Sequence, residues 1–477
     1  MEQKNKKKIS TQTIIKLLLA VVLLGLSAFL LKGDVWTFWT WWLLAGVMGF
    51  AAMPVTGRLF WRFEDKGWIF SKVLAIAATG FLTWFLTAIR LIPFNALTCA
   101  AVTILCAVIC FFLLRKESKE KTECFPVDRI SLIYWEELLF FLAFLMWTYL
   151  AGFRPAAYGT EKFMDYGFME AMMRSTTLPA RDLWYSEGHI NYYYGGQYFA
   201  VFLTKLSHTK VELTYNLMRT FVAGLAFAMP FSLVYQMMSD RMKGLQKSEK
   251  VIKGLPFAAG FTAGTAVSIA GNMHYVIYAQ IIPLIEKLTG KEVSSYWFPD
   301  ATRYIGYNPY REEDRTIHEF PCYSFVLGDL HAHVVNIMFV LLVIALLYVW
   351  LRGVRKKTVP VETSMKDGKF WKEQLLMPHL LVISALLGMF QWTNFWDFVI
   401  YYVVTLGTVL FANIIRFQGK IKKIMVVTFA QMAEIYLLAY LVILPFTLQF
   451  DTMVDGIGIA KYHSYFYQLL VLWGLPA

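Results

Sequence analysis

GDLHAHVVNIMFVLLVIALLYVWL, residues 328–351, decides the fold. Its last 18 residues carry no charge, which is the length and composition of a helix that crosses a bilayer. The six residues before them hold an acid and two imidazoles. Ten more apolar runs of this kind lie at roughly 12–31, 36–55, 69–89, 94–114, 133–152, 212–237, 255–279, 375–392, 397–415 and 424–446. Charged residues make up only 16% of the 477, and hydrophobic residues 58%. A soluble domain is about 25% charged. A soluble enzyme, a disordered chain, a collagen and a coiled coil are excluded. The expected fold is all-α, a polytopic transmembrane bundle of about 11 full spans. A further run starts near Tyr465 and stops with the chain at Ala477, so the bundle is expected to continue. The first run follows Lys4, Lys6, Lys7 and Lys8, and Lys32-Gly33-Asp34 is no small-residue cleavage site, so it reads as an uncleaved anchor.

The formal net charge of +12 follows from topology. Segments 1–8, 56–67, 115–131, 239–254, 352–372 and 416–423 carry 28 of the 45 Lys and Arg. Basic loops mark the cytoplasmic side. Placing all six there, with the N-terminus, needs an even number of spans between neighbours. The arrangement works if the short apolar run Gly195–Leu206 does not cross, and an in-plane or half-inserted helix at the outer surface is expected there. Nucleic-acid binding would concentrate basic residues on one domain, so no nucleic-acid partner is expected. The chain is read as a multi-pass protein of the cytoplasmic membrane. The basic stretch Arg115–Arg129 separates a four-helix segment (1–128) from a motif-bearing core (129–477). Five cysteines form no CxxC pair and read as thiols.

With this orientation the polar loops 153–194 and 281–333, the turn 392–397 and the loop 448–464 face outward, and function is expected there. In the first loop, apolar residues at 163, 164, 168, 169, 172 and 173 have helical spacing, so an amphipathic helix lies on the membrane. Asp165 near its start is either a helix cap or a general base. Next come Asn191, Tyr192, Tyr193 and Tyr194. The three rings cannot all face lipid, so they are split between the interfacial aromatic belt and a polar cavity. The second loop runs from Glu319 to Asp329, His331 and His333. In an extended segment the last three point one way and suit a metal or a phosphate; otherwise they bond one another and local backbone. Asn394 and Asp397 lie in the Trp-flanked turn, where Asp397 either caps the next helix or lines a cavity. Arg303, Arg311 and Arg315 are available to hold a phosphate.

Asp165-Tyr166-Gly167-Phe168, Asn191-Tyr192-Tyr193-Tyr194-Gly195, Gly328-Asp329-Leu330-His331-Ala332-His333 and Thr393-Asn394-Phe395-Trp396-Asp397 occur in that order. Together they resemble the chlor-arch-YYY family of bacterial and archaeal membrane proteins, over roughly 133–477. The layout is also similar to the GT-C class of membrane glycosyltransferases. In that class an acid in the first outer loop is followed by a Pro-containing stretch, an in-plane helix, and a span with an early Arg. Here Asp165, Pro179, residues 195–207 and Arg219 fill those places. Tyr166 stands where GT-C motifs carry a second acid.

The resemblance implies a glycosyltransferase of hexosyl or pentosyl groups, using a polyprenyl-phosphate-linked sugar donor within the membrane lipid. The acceptor would be a glycan, a lipid or a protein. Asp165 is the expected base. Asp329, His331 and His333 would stabilise the departing phosphate, directly or through a divalent metal that they bind. Asn191, Tyr192, Tyr193, Tyr194, Glu319, Arg219, Asn394 and Asp397 complete the expected site. The alternatives are a transporter or flippase of a lipid-linked glycan, and a non-catalytic envelope protein.

Overall fold

The structure is a computed structural model that describes residues 10–120, 124–159, 161–243, 245, 249–356, 364–452 and 458–475. The lysines of segment 1–8 and parts of the basic segments 239–254 and 352–372 lie outside the described residues. The fold is helical, and the described residues hold only isolated β-bridges, Arg181–His189 and Tyr307–Tyr310. In chain order the helices begin with α1 (Thr11–Leu31), α2 (Val35–Leu59), α3 (Trp68–Ala88), α4 (Ala96–Glu120) and α5 (Ile130–Ala151). Then come α6 (Lys162–Arg174), α7 (Gly195–Ser207), α8 (Val211–Met242), α9 (Glu249–Ser268) and α10 (Met273–Leu288). The remainder are α11 (Pro321–Leu327), α12 (Ala332–Lys356), α13 (Gly368–Leu375), α14 (Pro378–Thr393), α15 (Phe395–Phe417), α16 (Ile421–Val442) and α17 (Phe466–Trp473).

Among the described residues, eight helical stretches are long and apolar enough to cross a membrane, and up to ten if each of two bent pairs is one span. The first stretch, Thr11–Leu59, contains both α1 and α2. Trp39 Nε1 donates to Ser27 Oγ at 3.0 Å. Twelve residues of straight helix would hold them about 18 Å apart, so α1 and α2 fold back on each other. The bent pairs are where continuous apolar runs hide a break. The run 255–279 bends by 80° between α9 and α10. There Asn272 leaves the helix and accepts from the His274 N–H at 3.1 Å, capping a new one. The run 375–392 bends by 52° before Pro378, whose ring holds Met377 in an extended conformation.

The two ends of the bundle are chemically distinct. Arg62 donates to the Arg352 carbonyl (3.0 Å), Arg129 and Lys243 both pair with Glu64, and Arg352 pairs with Asp240. Four of the basic segments therefore gather at one end. Arg219, near the start of α8, belongs to the other end, roughly 30 Å away along the same helix. α8 and α9 approach closely because Gly260 and Gly264 have no side chain; a Cβ on either would sit 2.6 Å from a backbone oxygen of α8. A single hydrophobic core runs from Leu23 in α1 to Phe446 after α16, so the leading helices and the later ones share it.

α7 corrects one expectation and satisfies another. Tyr194 before it accepts from Trp84 near the end of α3, and Thr209 after it accepts from Trp41 near the start of α2. α2 and α3 are an antiparallel pair, so both ends of α7 lie at the same end of the bundle and it does not cross. Yet it is no surface helix: residues Gly195 to Lys205 are all buried. The Lys205 ammonium donates to the Met173 carbonyl at 2.9 Å and lies over the Phe94 ring. Trp84 and Trp392 stack at 4.3 Å beside it.

Candidate functional site

Asp165 occupies the first turn of α6, but it does not cap that helix. The N-cap residue is Glu161, without a side-chain cap bond. The Asp165 side chain turns inward and is fully buried. Its Oδ1 accepts from Gln197 Nε2 of α7 at 2.7 Å, and the same amide donates to the Leu330 carbonyl at 3.0 Å. Its Oδ2 has no hydrogen-bond partner and lies 3.9 Å from His331 Nε2. Burial raises the Asp165 pKa to about 7, against the pull of His331 and Gln197. For His331, burial favours the neutral ring. The surrounding carboxylates of Asp165, Glu319, Asp329 and Glu161 outweigh it and raise the pKa. Asp165 therefore changes charge near neutrality, and the acids around His331 favour its charged form.

His331 Nε2 also stands 2.9 Å from Glu161 Oε2. His333 Nε2 lies 3.0 Å from Glu319 Oε2. The Ser324 hydroxyl donates to Glu319 at 3.1 Å. Burial alone would raise the Glu319 pKa; the bonds and charges of His333, His331 and Ser324 hold it below the usual range. Ligand atoms of Glu319, His331 and His333 all lie within 4.8 Å of one another. One carboxylate and two imidazoles fit a borderline divalent cation.

Asp329 does not join that set. The alternation of an extended segment stops at His331 because α12 starts at Ala332. Asp329 is buried and follows Gly328, whose φ of +91° turns the chain. It feels the charges of Lys162 and Arg219. Arg219 donates to the Phe325 carbonyl (3.0 Å) and to Asn216 (2.8 Å), so it fixes the α11–α12 turn from behind. A Cβ at Gly328 would meet its guanidinium at 2.4 Å.

Asp397 reaches the cluster through α12. It accepts from Asn336 at 2.6 Å and from Asn394 at 2.9 Å, and Thr393 donates to Asn336 at 2.8 Å. Asn336 lies one helical turn beyond His333. The three tyrosines go separate ways. Tyr192 packs on Phe168 and feels the charges of Asp165 and Glu161. Tyr193 lies against Phe450. Tyr194 is in the core, its hydroxyl accepting from Trp84 at 3.0 Å. Asn191 pairs with the Asp451 backbone in both directions, at 2.9 and 3.0 Å. Arg311 and Arg315 bond Tyr465 and Tyr310, while Arg303 bonds Tyr323, so these arginines serve the second loop. The sequence reading missed Glu161, Lys162, Gln197 and Asn336. Gln197 had a signal: it directly follows the Gly195-Gly196 pair that lets α7 approach Trp392 and Val335.

A cavity of about 430 Å³ lies elsewhere. It lies among α2, α3, α4 and α14, walled by residues such as Val47, Ala78, Ile104 and Ala385. Its walls are almost entirely apolar and hold no ionisable group other than the thiols of Cys106 and Cys110, so the polar cluster is the candidate for chemistry.

Long apolar helices, two of them bent, carrying a polar cluster at one end define a multi-pass membrane protein. Residues 78–477 match the family of uncharacterized membrane proteins DUF2298, and the chain belongs to that family. The match begins inside α3, earlier than the motif resemblance from 133. No curated protein and no solved structure matches the chain.

Proposed function

We propose that the protein is an integral membrane glycosyltransferase. It moves a sugar from a polyprenyl-phosphate-linked donor to a hydroxyl group on the extracytoplasmic side, within a GT-C-like architecture. The observation that carries this reading is the Asp165 carboxylate, buried, partnerless at Oδ2 and 3.9 Å from His331, with a pKa near 7. That is the form of a general base tuned to neutral pH.

Asp165 Oδ2 takes the proton of the acceptor hydroxyl, whose oxygen forms the new bond to the anomeric carbon. The bond from that carbon to the phosphate oxygen breaks, and its electron pair leaves with the lipid phosphate. Gln197 holds the carboxylate in place from Oδ1. Protonated His331 offers positive charge to the phosphate as charge develops there. Alternatively, with His331 neutral, Glu319, His331 and His333 would hold a divalent cation, which would supply that positive charge to the same oxygens in place of the imidazolium. Tyr192 offers a ring to a sugar face. Asn394 and Asp397 orient hydroxyl groups. The site's placement outside follows from the positive-inside rule, since the basic segments gather at the other end.

The test is Asp165→Asn in cells and in reconstituted membranes. Loss of the glycosylated product, with normal protein level and melting behaviour, supports the base role. An unchanged glycolipid and glycan profile overturns it. A transporter of a lipid-linked glycan is the second reading, favoured by the two bent spans. It predicts instead that the lipid-linked precursor accumulates on the cytoplasmic side.

A further inference from the structure

At the basic end, two consecutive acids of α5 have opposite surroundings. Glu137 accepts from Trp42 Nε1 at 2.8 Å and from Trp68 Nε1 at 2.9 Å, and its Oε2 lies 3.0 Å from Lys72 Nζ. Glu136 is fully buried, and neither carboxyl oxygen has a hydrogen-bond partner. Facing it are Asp65, from the turn between α2 and α3, and Ser232 of α8. Asp65 is 2% exposed. Its Oδ2 accepts from the Trp68 N–H at 2.8 Å and from the Ser232 hydroxyl at 3.4 Å. The Ser232 hydroxyl, which also lies beside Glu136, makes its hydrogen bond to Asp65.

The other groups nearby are engaged. Lys72 faces Glu137. Glu64 is held by Ser239, Lys243 and Arg129. Gln236 bonds Asp240 and the Glu64 N–H. Tyr235 lies near the pair without a hydrogen bond to it. Two buried carboxylates within reach of each other, with no cation between them, cannot both be ionised.

We propose that Asp65 and Glu136 form a second binding site, remote from the candidate catalytic cluster, that holds one proton shared between the two carboxyl groups. The Glu136 acid donates to the Asp65 carboxylate, an O–H···O⁻ bond that satisfies the otherwise orphaned side chain. The proton ties the α2–α3 turn to α5 and, through Ser232, to α8. Burial pushes the Asp65 carboxyl up, against the backbone N–H groups that favour its ionised form. A proton held natively but absent from the unfolded chain stabilises the fold fully below the ordinary carboxylate range and is lost as pH rises through the native pKa. The inference does not depend on the glycosyltransferase reading.

The experiment is the melting temperature of the full chain in lipid nanodiscs between roughly pH 5 and pH 8. In Glu136→Gln, an amide N–H replaces the shared proton as donor to Asp65. The wild type should lose several degrees relative to Glu136→Gln as pH rises, and Asp65→Asn should flatten the curve in the same way. Parallel wild-type and variant curves overturn the proposal. A sodium-dependent rise in wild-type melting that Glu136→Gln abolishes also overturns it, in favour of an alkali ion. Should neither variant fold, infrared spectra of the Asp165→Asn protein decide. A protonated carboxyl band at neutral pH sustains the shared proton, and its absence overturns it.

Discussion

At the basic end of the bundle, Glu137 meets Lys72, Glu64 meets Lys243 and Arg129, and Asp240 meets Arg352. At the other end Glu161, Asp165 and Glu319 stand around two histidines, while Lys162 and Arg219 face Asp329 behind the turn. The first arrangement matches these acids to fixed cations, so its charges brace loops. The second leaves acids with proton acceptors as neighbours, so protonation itself is the variable. Glu136 and Asp65 are the exception at the basic end, which makes them conspicuous there.

The widest effect that separates the two ends is on turnover. Asp165→Asn should cost about 10²- to 10⁴-fold in transfer rate, the usual worth of a general base, with little change in stability. Product formation in reconstituted membranes checks this, and a rate within a few-fold of wild type would erase the contrast. Next in size is Glu137→Gln, which leaves the Lys72 ammonium buried and without its counter-charge. A loss of about 3–5 kcal/mol is expected from breaking a buried pair, read as reduced melting temperature and expression, while the surviving folded protein keeps its turnover.

pH sharpens the contrast further. Because Asp165 must be ionised to act, turnover should fall roughly tenfold per unit as pH drops below its pKa, which is about 7. Stability moves the other way: a carboxyl raised by burial stabilises the fold when protonated, and that contribution disappears as pH rises through about 7. A rate independent of pH across neutrality would contradict the base assignment. The smallest effect is expected at Asn191. Asn191→Ala removes the two bonds to the Asp451 backbone and should cost about 1 kcal/mol, seen as faster proteolysis near 451 with turnover unchanged.

Most of the helical frame was legible, since uncharged runs of span length have few other fates. The boundaries of α1, α3 and α15 fall within two residues of those expected. What apolarity could not reveal was direction within a run. Asn272 and Pro378 break the helix without adding charge, so 255–279 and 375–392 read as straight. At 329–333 a helix start at Ala332 ends the extended alternation, so spacing alone did not group Asp329, His331 and His333. Glu319 takes the place of Asp329 beside the imidazoles, joined by a turn of backbone and not by any local pattern. Gln197 and Asn336 reach the site from elements distant in the chain. Tyr194, chosen for its motif, proved to be core because Trp84 and Trp392 enclose it.

α7 spans only 13 residues and is walled by side chains made far later in synthesis: Val335 and Ala332 against Gly196, Thr393 and Trp392 against Gly195. It is too short to be threaded through the bilayer as an independent segment. Until α12 and α14 have been inserted, Gln197 lacks the Leu330 carbonyl that it finally bonds. The nascent chain must therefore wait at the membrane boundary with this helix unhoused. A chain truncated upstream of residue 393 lacks the Trp392 and Thr393 side chains that enclose Gly195, and is expected to leave α7 unpacked.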